Sequence, residues 1–92
     1  MSQEIQDRFK QFVAPTYGRF PITLDRGEGA FVWDTDGKRY LDLGGGIAVN
    51  CLGHANAEIS QALAEQSAKL MHCTNFYHFD GQAQLAENLA KR

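Results

Sequence analysis

The chain has 92 residues, enough for one small domain or part of a larger one and too few for a two-domain enzyme with its own cofactor cleft. Nine Lys and Arg against 11 Asp and Glu leave a net charge of −2, and their interspersion excludes a nucleic-acid-binding stripe or an acidic tail. At 43% hydrophobic and 22% charged the composition is globular, and 11% aromatics is generous for the core that so short a chain can close.

Residues 2–13 predict an amphipathic helix. Ser2 is placed to cap it, Glu4 lies near its positive end, and Ile5, Phe9, Phe12 and Val13 recur on one stripe. Pro15 ends it, because the residue before a proline is pushed out of helical geometry. The linker 14–21 holds both prolines, Tyr17, Gly18 and Phe20, and reads as an extended segment. Three short strands follow: Ile22–Leu24, Ala30–Trp33 and Arg39–Leu43, with Asp25–Gly29 as the first turn. Asp36-Gly37 marks the second turn, where a positive φ is needed. In the third strand Tyr40 and Asp42 share one face, and Arg39, Leu41 and Leu43 the other. A lone meander of this kind is marginal unless something covers a face.

Gly44-Gly45-Gly46 breaks the strand and opens a small-residue loop through His54. Asn56 reads as the cap of a helix over 57–71, with Ile59, Ala62, Leu63, Gln66 and Leu70 on one stripe. Residues 72–79 form a second, aromatic loop, and Asp80 is placed to cap a last helix in which Leu85 and Leu89 share a face. The fold class expected is therefore an α+β fragment: a helix, a three-stranded antiparallel meander, then two helices.

No apolar run reaches the roughly 20 residues that span a bilayer, so no membrane association is expected. The start lacks the basic and apolar regions of a secretory signal, which makes the cytoplasm the expected compartment. Cys51 and Cys73 set no disulfide framework.

Four groups of residues carry side chains or backbone suited to chemistry. The Gly44–Gly46 run lies too far from the next helix, and lacks the spacing, for a phosphate-binding loop; its expected role is close backbone packing. Cys51, His54, His72 and Cys73 offer nitrogen and sulfur ligands, but an adjacent pair rarely reaches one ion, so no metal site is expected. Cys51 near His54 lacks an orienting carboxylate following at local spacing, and Asp34, Asp36 and Asp42 fall where turn and edge roles are usual. Lys10, Lys38, Lys69 and Lys91 lie on polar faces or turns, away from the apolar setting a Schiff-base lysine needs. No residue here is expected to be catalytic or to bind a cofactor.

The run Gly27–Asp42, followed by Gly45-Gly46-Ile47-Ala48-Val49-Asn50, Leu52-Gly53-His54 and Thr74-Asn75-Phe76-Tyr77, resembles the opening of class III, pyridoxal-phosphate-dependent aminotransferases. The likeness extends from about Ala14 to Arg92. Gly-Ile-Ala-Val before Leu-Gly-His, His72 with Thr74-Asn75, and Pro15-Thr16-Tyr17 with Phe20-Pro21-Ile22 are most similar to the branch acting on N-acetylornithine. The resemblance implies part of a fold-type I transferase: small-domain helix and meander over 1–43, an active-site and interface loop over 44–55, and helices over 56–92. It implies amino transfer to 2-oxoglutarate in arginine biosynthesis by a homodimer, with the large cofactor domain, its lysine and the substrate-binding arginine elsewhere. By the same likeness Tyr17, Ile47, Ala48 and Val49 would wall the substrate side, and Thr74 and Asn75 would lie near the subunit boundary and cofactor. An aliphatic residue at Ile47, where the ornithine enzyme tends to carry a tyrosine, suits an acylated amine. The alternatives are ornithine, succinylornithine or 4-aminobutyrate as donor, or a non-catalytic association fragment.

Overall fold

Seven elements follow the chain in a computed structural model that describes Met1–Arg92: α1 (Ser2–Phe12), β1 (Leu24–Glu28), β2 (Phe31–Asp34), β3 (Arg39–Leu41), α2 (Gly45–Ala48), α3 (Ala57–Lys69) and α4 (Asp80–Ala90). They fall into two compact units, Met1–Ser60 and Gln61–Arg92. Four helices and one three-stranded antiparallel sheet, ordered β1-β2-β3, make this an α+β chain. No helix is long and apolar enough to cross a membrane.

Within the first unit, α1 forms as its stripe predicts, with Glu4 in the first turn and Lys10 in the last complementing the helix dipole. Its cap differs from expectation. Met1 occupies the cap position, and the Ser2 hydroxyl instead donates to Thr23 Oγ1 at 2.9 Å, tying the helix to the segment before β1. The apolar stripe and the linker, through Ile5, Phe9, Tyr17, Phe20 and Leu24, line an open groove of about 610 Å³.

The first strand lies further along than its sequence suggests. Asp25-Arg26-Gly27-Glu28 carries turn-forming residues, yet it is strand, and the turn is Gly29-Ala30, with Gly29 at φ 56°. Pairing with β2 overrides local propensity, and an edge strand accommodates such polar side chains. The register sets Gly27 opposite Val32 and Val32 opposite Tyr40, so these three share a face. Val32, 7% exposed, is the one buried residue of the chain. On the opposite face Arg26 stacks over Trp33 at 3.7 Å and Arg39 over Phe31 at 4.6 Å, the cations capping the rings.

The second turn forms as predicted. Gly37 has φ 82°, and Asp34 Oδ1 accepts from the Asp36 and Lys38 amides at 2.9 Å each. Regular pairing stops at Leu41 rather than Leu43, although the Asp42 amide still donates to the Ala30 carbonyl at 2.8 Å. Asn56 caps α3, accepting from the Ile59 amide at 3.1 Å. In the second unit α4 takes Phe79, not Asp80, at its cap position; the Asp80 carboxylate is instead bonded to Gln84 one turn on.

Candidate functional site

The loop from Gly44 to His54 is the part of the first unit with the most unusual backbone. All four residues of α2 have positive φ: Gly45 54°, Gly46 67°, Ile47 62° and Ala48 62°. It is thus one left-handed helical turn, closed by the Val49 and Asn50 amides donating to the Gly45 carbonyl at 2.9 and 2.8 Å. Glycine adopts this region freely, whereas each L-residue there costs about 1–2 kcal/mol, most acutely a β-branched one such as Ile47. The expected close packing holds at Gly46, where a Cβ would lie 3.3 Å from Asn50 Nδ2, and not at Gly45. A Cβ at Gly45 would meet nothing within 4 Å, so the requirement there is for the sign of φ and not for close packing.

Closer packing falls on Gly27 and Gly53. A Cβ on Gly27 would lie 2.6 Å from the His54 ring, and one on Gly53 would lie 3.1 Å from the Gly29 backbone. Those bare positions let the loop fold back on the meander. Gly29 and His54 then form a two-way backbone bridge, N–H to carbonyl at 3.1 and 2.8 Å.

One side chain reaches both ends of the loop. Asp42 Oδ2 bonds His54 Nε2 at 2.6 Å, while its Oδ1 accepts from the Gly45 amide at 2.9 Å. Both side chains are about four-fifths shielded from water, which limits screening of the pair. The His54 hydrogen bond, and after it the Gly45 amide, hold the Asp42 carboxyl below the usual carboxylate range. His54, weighed in the sequence as a metal ligand or a partner of Cys51, is engaged by a carboxylate twelve residues upstream. Asp42 therefore does more than end a strand. The alternation that put it on the Tyr40 face was the available signal, together with glycines at 27 and 53.

Between these ties Ile47 stands 95% exposed and Val49 71%, with Ala48 exposed between them. Tyr17, 75% exposed, belongs to the α1 groove, where the Arg19 guanidinium lies 5.0 Å from the Phe9 ring and 5.9 Å from its own. Ile47 does not line that groove. Thr74 and Asn75 sit in the second unit on an exposed turn, in which the Tyr77 amide donates to the Thr74 carbonyl at 3.1 Å. The Phe76 amide donates to Thr74 Oγ1 at 3.2 Å, so that hydroxyl already serves the turn.

Residues 12–92 match the Aminotransferase class-III family. The chain belongs to that family. It is 49% identical over 82 residues to the acetylornithine aminotransferase of Clostridium acetobutylicum, covering 89% of this chain and 21% of that protein. It is 51% identical over 76 residues to the acetylornithine aminotransferase of Methanopyrus kandleri, covering 83% and 20%. The crystal structure of acetylornithine aminotransferase from Elizabethkingia anophelis superposes with a TM-score of 0.94 at 30% identity, over 98% of this chain and 22% of that one. The chain thus spans about a fifth of the length of the class-III relatives it matches.

Proposed function

We propose that this segment serves a pyridoxal-phosphate-dependent aminotransferase that carries the δ-amino group of N-acetylornithine to 2-oxoglutarate, in arginine biosynthesis. The observation that carries this reading is the collinear likeness, close to half identical, to two acetylornithine aminotransferases from unrelated sources. In this reading residues 1–43 belong to the small domain, 44–55 to a loop at the active-site entrance, and 56–92 to helices leading into the large domain. The enzyme works as a homodimer in the cytoplasm.

Pyridoxal phosphate supplies the electron sink that such a transfer needs. The lysines present do not fit its aldehyde. Lys10 lies 3.4 Å from Asp7 and Lys91 lies 2.5 Å from Glu87, each on an exposed face, Lys38 lies 5.1 Å from the Tyr40 ring centroid, and Lys69 is exposed in the last turn of α3. No step through the cofactor is therefore assigned to these residues, and the 92-residue chain by itself is inactive. Its contribution is a wall. Ile47, Ala48 and Val49 bound the donor's side of the site with Tyr17, while Thr74 and Asn75 stand near the subunit boundary and the cofactor. The exposure of Ile47 and Val49 supports this, since an apolar surface held outward by a strained backbone is suited to meeting a ligand or partner.

A chimera tests the proposal: the Clostridium acetobutylicum enzyme with its matching fifth replaced by this chain. It should bind pyridoxal phosphate and transaminate N-acetylornithine with 2-oxoglutarate, preferring it to ornithine by roughly tenfold or more in kcat/KM, a ratio within reach of an apolar pocket. Equal use of the two donors, or a preference for ornithine, would overturn the assignment of substrate.

A further inference from the structure

The loop that carries Ile47 is strained in its middle and tied at its ends, and both ties run to the Asp42 carboxylate. The internal hydrogen bonds of α2 close its turn but do not fix that turn relative to the sheet. Asp42 Oδ1 fixes the first residue of the turn through the Gly45 amide, and Oδ2 fixes the far end through His54. The imidazole in turn lies against the bare Cα of Gly27 in β1, and the His54 backbone is bridged to Gly29. The carboxylate that directly follows β3, Gly27 of β1 and Gly29 of the turn after it thus anchor the same loop to one sheet.

We propose that Asp42 and His54 are positioning residues, whose hydrogen-bonded pair fixes the loop 44–54 on the meander and so holds Ile47 toward the amino donor. This rests on the reading of Ile47–Val49 as the donor-side wall. Two L-residues in succession with positive φ relax toward other backbone regions once their ends are free, because nothing buried holds Ile47 itself. Removing His54 releases the far side-chain tie and removing Asp42 releases both, in either case with a consequence at a residue that neither partner needs to touch. Neither Asp42 nor His54 is assigned contact with substrate or cofactor. Their effect is expected in donor binding and discrimination, not in the chemical step.

The test uses the loaded chimera with Asp42→Ala, His54→Ala and Ile47→Ala. The gentler Asp42→Asn and His54→Gln keep the fold if the alanine variants lose it. His54→Ala should raise the KM for N-acetylornithine about tenfold, the scale of one charge-assisted hydrogen bond, and Asp42→Ala, which loses two, by at least as much, each with kcat within about twofold. Deuterium uptake at residues 45–49 should quicken in both, and Asp42→Asn, which keeps an acceptor for Gly45, should show the smaller change. Combined with Ile47→Ala, neither variant should raise the donor KM further, since the side chain being positioned is gone. Variants that lose folded yield and kcat together while donor KM and loop uptake stay unchanged would overturn the inference and leave the pair merely structural. Ile47→Ala with an unchanged donor KM would instead overturn the donor-side wall on which the inference stands.

Discussion

Asp42 receives two hydrogen bonds from groups that favour its charged form, and this gives it a definite pH signature. Because its folded-state pKa lies below the unfolded value of about 3.9, its contribution to stability is complete above that value and is lost as pH falls through the folded pKa. Acid unfolding of the chimera should therefore shift when Asp42→Asn removes the titrating group, with the two proteins' difference in stability shrinking below about pH 4. A difference that stays constant from pH 6 downward would mean the carboxylate is not held in its charged form. At this scale the sequence was legible in part. Asp36-Gly37 and Asn56 announce themselves, because a turn or a cap needs only near neighbours. Asp42 and His54 do not, because their meeting depends on the chain returning to β1 past Gly27, a contact no local window contains.

Among the elements, those whose pattern is local appear where the sequence places them, and α1, α3 and α4 differ from expectation by only a residue or two at their ends. The strand β1 moved because its hydrogen bonds come from β2 and its own residues favour turns, so pairing decided it. The turn α2 could not be read at all as left-handed, since Ile47 and Ala48 argue against positive φ and only the glycines before them permit it. That conflict is measurable. Ala48→Gly should stabilise the chimera by up to about 1 kcal/mol, the relief of roughly 1–2 kcal/mol of backbone strain less the added freedom of the unfolded chain. The urea midpoint should rise with an unchanged m-value, and a fall would show that residue 48 is not strained.

For the whole molecule, the surplus of aromatic residues seen in the composition is accounted for by exposure. One residue is buried, while Phe20, Leu43, Ile47 and Phe76 are each more than 85% exposed. Apolar surface on this scale drives association when nothing else covers it. The 92 residues expressed alone should sediment as concentration-dependent oligomers, and a stable monomer at high concentration would count against this. Family membership was legible because long collinear runs such as Gly27–Asp42 survive independently of any one contact. A partner for these faces was not legible, since apolar exposure alone names no occupant.

The handedness of α2 bears on what substitutions that loop can accept. Its dihedrals are those natural to mirror-image amino acids, and among the twenty encoded residues glycine is the only achiral stand-in. Gly45 and Gly46 take that option, while Ile47 and Ala48 keep side chains at a conformational cost. In a chemically synthesised chain, a D-residue at position 48 would be the relaxed choice and would leave the outward course of Ile47 unchanged.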